Sequence, residues 1–176
     1  LCSSDIAPKI LWVKNNLPEV YEKTAKFLTG SSYLCAKLTG QFTIDRYLAE
    51  DFAPLYNLTN DTVDEEHCGL YCRPVRNATD IAGTVTAAAA AQTGLAEGTP
   101  VLVGTGDSGA EAISTGVFRP GDIMVQMGSS CYFIYLADHL LKEPRLWPGT
   151  FIIPGVYSVC AGTNTAGTLT KWMRDE

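Results

Sequence analysis

In APKILWVKNNLPEVYEKTAKFL, residues 7–28, apolar side chains recur at helical spacing in two runs interrupted at Asn15-Asn16-Leu17. Two helices are expected. Pro18 suits the first turn of the second, where a missing N–H costs nothing, and Glu19 lies near its positive end. GSSYLCAKLTG, residues 30–40, predicts a third short helix, capped by Ser31 or Ser32 and stopped by Gly40. From Asp51 to Asn77 the chain is polar, gives no clear element, and is expected to hold the most flexible stretch. After that the period changes. TDIAGTV reads as a strand, TAAAAAQTG as a helix ended by Gly94, and EGTP as a turn. VLVGTG reads as a buried strand, and DSGAEAISTGV as a helix that begins where that strand ends. GDIMVQMGSSCYFIYLA predicts a hairpin with Gly128-Ser129-Ser130 at its tip. VYSVCAG is a further strand, and NTAGTLTKWMRDE opens a helix at Asn164. Helices first, then alternating strand and helix, then a hairpin: the class is α/β, without internal repeats.

Composition narrows the function classes. A hydrophobic content of 46% and a mean hydropathy of +0.05 describe a chain that buries a core. No apolar run approaches the roughly 20 residues that cross a bilayer. Lys and Arg number 13 against 19 Asp and Glu, a formal charge of −6, and no basic cluster stands out. That argues against nucleic acid as a partner. Anionic small molecules stay open, because backbone amides and a metal ion bind phosphate without a basic surface. The opening Leu-Cys-Ser-Ser-Asp has no basic region ahead of an apolar stretch, so the expected compartment is the cytoplasm.

Six cysteines and three sequons, at Asn57, Asn60 and Asn77, keep a secreted disulfide module in view. Against it, Cys35 falls in a helical pattern and Cys131 and Cys160 among strand-like residues, where free thiols pack as small hydrophobes. His67, Cys68 and Cys72 offer part of a zinc site. A structural zinc wants four ligands and nothing supplies the rest, so an ordinary polar loop with two thiols is expected.

Gly-Asp-Ser-Gly, residues 106–109, poses the chemical question. Ser108 as a protease nucleophile requires a histidine and an aspartate delivered by a β-barrel. His67 is too near in sequence for the intervening strands, and the run Ala87–Ala91 is helical. Ser108 is rejected. Asp107 follows an apolar strand through Gly104-Thr105-Gly106, and open α/β sheets bind ligands just beyond their strand ends. The plainer reading of Asp107 is an N-cap aspartate. At the hairpin tip a glycine and two hydroxyls with exposed amides suit a phosphate, although small residues are also ordinary turn chemistry. No Walker A sequence is present.

Taken together, PKILWVKNNLPEVYEKTAKFL, SSYLCAKLTGQFTIDRYLA, IAGTVTAAAAAQTGLAEGTPVLVGTGDSGAEAISTGV, GDIMVQMGSSCYF and the closing AGTNTAG…KW form an ordered set. In that order the chain resembles the FGGY carbohydrate kinases, most closely the xylulokinase-like members, over nearly all of its 176 residues. The resemblance implies an actin-like, ribonuclease-H-like ATPase fold whose two lobes hold sugar and ATP between them. Residues 1–117 match the late first, sugar-side lobe, and 118–176 the start of the second, nucleotide-side lobe. It implies that Asp107 takes the proton from the attacking sugar hydroxyl, and that Gly128-Ser129, with Ser130, forms the phosphate hairpin. Serine replaces the family's threonine there. Asp45 matches an aspartate near the sugar, or serves as a helix cap, and Gly162 to Gly167 match the nucleotide-side wall.

The implied cofactors are ATP and Mg2+, and the implied reaction is phosphorylation of a small sugar or sugar alcohol, with a pentulose such as xylulose favoured. A homodimer is compatible with it. The family's amino-terminal Asp-x-Gly-Thr phosphate loop and its glycine-rich adenine-side segments are not among these residues. The expectation is the middle of a kinase, inactive by itself. A non-catalytic sugar-binding relative is the alternative.

Overall fold

The computed structural model describes residues 6–53, 55–57, 62–63, 74–143 and 145–176. The chain divides into two compact units, 1–106 and 107–176. This division precedes the helix that follows Gly106, whereas the expected lobe boundary comes after it.

In the first unit α1 (Ile6–Asn16) and α2 (Pro18–Lys23) form as the periodicity predicts, with Pro18 in the first turn of α2. α3 (Gly30–Thr39) is capped one residue earlier than expected. Thr29 is the N-cap and its Oγ1 accepts from the Ser32 amide at 3.3 Å, so Ser32 is the residue whose amide is capped and not the cap itself. Gly40 ends α3 with φ 74°, a left-handed conformation that glycine adopts without strain. Then follow β1 (Ile44–Asp45), α4 (Arg46–Ala49) and a 3-10 turn over Glu50–Phe52. β2 (Tyr56–Asn57) pairs antiparallel with β3 (Thr62–Val63), and β4 (Val75–Arg76) pairs parallel with β1. The polar stretch expected to be flexible lies largely outside the described residues, as do His67, Cys68 and Cys72.

β5 (Ile81–Thr84), α5 (Ala87–Thr93) and β6 (Pro100–Leu102) complete this unit. Thr86 caps α5 and Gly94 ends it. β6 corrects the expectation of a long buried strand. It spans three residues, runs antiparallel to β5 and leaves Leu102 exposed, while Val103 just beyond it is the buried residue. Gly104 N–H donates to Ala78 O instead of extending the ladder. The core gathers Ile44, Ala49, Phe52 and Tyr56, with Ile10, Phe27, Leu48 and Val75 packed against them. Cys35, Ala82 and Val103 form a second cluster that joins α3 to β5 and to the end of β6.

The second unit opens with α6 (Asp107–Ser114). β7 (Ile123–Met127) and β8 (Cys131–Ala137) make the expected hairpin. β9 (Trp147–Thr150) and β10 (Tyr157–Thr163) complete an antiparallel sheet in the order β7-β8-β10-β9. Ile134 and Leu136 are fully buried, and Met124, Phe151 and Val159 are buried as well. α7 (Gly167–Asp175) begins at Gly167 and not at Asn164. The reason is tertiary: the Ala166 and Gly167 amides bond to hairpin carbonyls, so the turn at 164–165 precedes the helix.

Candidate functional site

Asp107 is the first residue of α6 and is exposed. Its Oδ1 accepts from the next amide, Ser108 N, at 2.8 Å. This is a short local bond, not the reach to the second or third helical amide that defines a capping side chain. A carboxylate at a helix amino end is favoured by the helix dipole, and this one keeps its face to solvent. Gly109 and Ala112 are the buried residues of α6, so the helix packs through small side chains.

The hairpin tip is fixed from behind. Gly128 N–H donates to Ser130 O at 2.8 Å, closing the turn. Gly167 N–H donates to Gly128 O at 2.9 Å and Ala166 N–H to Ser129 O at 2.8 Å, with Thr168 Oγ1 also on Ser129 O at 3.2 Å. In a trans peptide the N–H points opposite to the C=O of the same unit. With both carbonyls directed at the start of α7, the Ser129 and Ser130 amides face away from it. Among the described residues neither amide has an acceptor, and all three tip residues are exposed. Two outward amides flanked by two hydroxyls are the kind of groups that bind anions. Glycine is required at 167, since a Cβ there would lie 2.5 Å from Gly128 O.

Gly162 is directly opposite Tyr132 in the β8–β10 register. A Cβ at 162 would stand 3.0 Å from both Tyr132 Cβ and Cys131 O, so this glycine makes room for the tyrosine. Tyr132 Oη donates to Glu111 Oε2 at 2.8 Å. Its hydroxyl is pushed up to about 12, first by burial, then by the Glu111 bond and the charges of Glu111 and Asp107. Neither Glu111 nor Tyr132 is singled out by sequence reasoning. Glu111 carries a faint signal, four residues after Asp107 and therefore on the same helix face. Tyr132 carries none.

Asp45 belongs to the first unit. It occupies the N-cap position of α4, yet its side chain makes no capping bond. The residue is 1% exposed, Oδ2 accepts from Thr105 Oγ1 at 2.8 Å, and Oδ1 has no hydrogen-bond partner among the described residues. Burial raises its carboxyl to about 6, with the Thr105 bond opposing the rise. Beside it Gly106 packs closely on α4, for a Cβ there would be 2.7 Å from Leu48 Cδ2.

Among the described residues no three His, Cys, Asp or Glu side chains come together to hold a metal, and no helix is long and apolar enough to cross a membrane. Among the described residues Cys35, Cys131 and Cys160 are not in disulfides, and Cys35 is buried as its helical pattern predicts. Asp107 and Glu111, one turn apart on α6, are both exposed carboxylates. A cation arriving with a polyphosphate would draw most of its shell from phosphate oxygens and water, as Mg2+ commonly does.

Residues 2–114 match the N-terminal domain of the FGGY family of carbohydrate kinases. An autoinducer-2 kinase of Enterobacter sp. (strain 638) is 29% identical over 175 residues, covering 96% of this chain and 33% of that protein. A xylulose kinase of Bacillus subtilis (strain 168) is 31% identical over 129 residues, covering 70% of the chain and 26% of the relative. The crystal structure of xylulose kinase from Rhodospirillum rubrum superposes with a TM-score of 0.89 at 27% identity, over 97% of this chain and 36% of that one. The chain thus spans about a third of the length of the curated relatives it matches. Its fold is that of these sugar kinases, the actin-like ATPase fold.

Proposed function

The chain belongs to the FGGY family of carbohydrate kinases, and from that membership we propose that the full-length protein transfers the γ-phosphoryl of ATP to a hydroxyl of a small sugar or sugar alcohol. Residues 1–117 are read as the late part of the sugar-side lobe and 118–176 as the start of the nucleotide-side lobe. Within that reading Asp107 orients and deprotonates the attacking hydroxyl. The Ser129 and Ser130 amides and hydroxyls, with Gly128, receive the phosphate charge, and Gly162 shapes the strand beside them. Phosphoryl transfer is mostly positioning and charge neutralisation, so one free carboxylate and one preformed anion concavity are the right parts. Mg2+ enters with the nucleotide. Asp45 is placed on the sugar side.

The observation that carries the reading is the hairpin tip, whose carbonyls are held by α7 so that two unpaired amides face outward. The curated relatives' names divide between xylulose and autoinducer-2, and a pentulose is the substrate we favour. Asp107→Asn tests the mechanism in the full-length protein. Asparagine keeps the shape and a hydrogen-bond acceptor but cannot take a proton. Turnover is expected to fall by about 10²–10⁴-fold, with sugar affinity changed far less. Ser108→Ala should stay within a few-fold of wild type. Sugar kinase activity retained by the Asp107→Asn variant overturns the assignment.

A further inference from the structure

The base and the phosphate concavity proposed above must keep a fixed separation, because in-line transfer tolerates little displacement. Asp107 is on α6 and the concavity on the β7–β8 hairpin, and both belong to the second compact unit. A side-chain bond joins the two elements. Tyr132 follows the tip by two residues and donates to Glu111, one helical turn beyond Asp107 and on its face.

We propose that Glu111 and Tyr132 are positioning residues that lock the helix bearing the base to the hairpin that grips phosphate. This rests on the assignment of Asp107 and the hairpin. The lock has a third member. Gly162, opposite Tyr132, lets the tyrosine lie close to β10, since a Cβ at 162 would press on Tyr132 Cβ and on Cys131 O. The tyrosine backbone is thus seated by strand pairing, and its hydroxyl reaches across to α6. Glu111 acts only as an acceptor, so its charge is dispensable. That distinguishes it from a group that binds substrate or metal.

The test uses the full-length protein with ATP and its best sugar, measuring kcat and both KM values. Tyr132→Phe and Glu111→Ala each remove the bond and are expected to lower kcat about 10-fold, with both KM values within about 2-fold. Glu111→Gln keeps an acceptor oxygen and should turn over near the wild-type rate. The Tyr132→Phe/Glu111→Ala double variant should be no slower than either single one, as expected when both changes break the same contact. A wild-type kcat for Tyr132→Phe overturns the proposal. So does a Glu111→Gln variant as slow as Glu111→Ala, or a double variant slowed by the product of the two effects. If Tyr132→Phe melts well below wild type, the comparison of Glu111→Ala with Glu111→Gln, on an exposed side chain, decides alone. Asp107→Asn runs alongside. Its loss of turnover together with a wild-type Tyr132→Phe removes the lock and leaves the base, whereas an active Asp107→Asn removes the base itself.

Discussion

Asp45 shows what a buried carboxylate does to a small unit. Its pKa stands at about 6, above the ordinary value of 3.8, chiefly because burial penalises the charged form. Asp51 adds to the rise and Thr105 opposes it, while Arg76, its register partner on β4, donates Nη1 to Ile81 O. The folded protein therefore binds this proton more tightly than the unfolded chain. The contribution of Asp45 to stability is complete below about pH 4 and is lost as pH rises through about 6, by an amount of the order of 2–3 kcal/mol. Asp45→Asn cannot titrate. Subtracting its unfolding free energy from that of wild-type full-length protein should leave a difference that drifts against wild type between pH 4 and 6 and is flat above pH 7. Urea melts across that range check this, and a flat difference throughout means that Asp45 ionises in the fold as it does in water. The sequence offers Asp45 as a sugar ligand or a cap. Its bond to Thr105, sixty positions away, is a product of folding that no local pattern announces.

At the scale of elements the hairpin and α7 act together, since α7 spends its first amides on the hairpin carbonyls. Ser129→Ala in the full-length protein should impair ATP use more than sugar binding, because the lost hydroxyl belongs to the anion concavity. Unchanged nucleotide KM and kcat would remove Ser129 from the phosphate site. The hairpin itself was legible, because alternating strands around Gly-Ser-Ser have few other solutions. α1, α2 and α5 were legible for the same reason, with Pro18 and Gly94 as punctuation. β9 was not. Trp147, Pro148 and Gly149 do not read as a strand, and only the edge of a sheet accommodates that proline. The starts of α3 and α7 shifted because Thr29 and the hairpin, not the nearest polar residue, satisfy their first amides.

Over the whole chain, apolar surface lies open on both units. Leu11 and Trp12 on α1, Ile81 and Leu102 on the β5–β6 pair, and Ile123, Val125 and Met127 on β7 are all exposed, Met127 to 78%. β7 and β9 are also the edge strands of their sheet among the described residues. Patches and edges of this kind drive association. The isolated 176-residue chain is therefore expected to self-associate at micromolar concentration, and sedimentation velocity would reveal it. A monodisperse monomer with one sharp thermal transition would contradict this. Gly-Asp-Ser-Gly alone fits two chemistries, whereas the order of elements around it points to the family whose N-terminal domain residues 2–114 match.

The glycine opposite Tyr132 carries a consequence for descent. A Cβ at 162 would press on the Tyr132 Cβ and the Cys131 carbonyl, so a change at 162 is felt by the strand that carries position 132. A lineage that gains a side chain at 162 must shift the backbone and Cβ at 132, and with them the hydroxyl that grips position 111. Three residues scattered along the sequence are then inherited as one character.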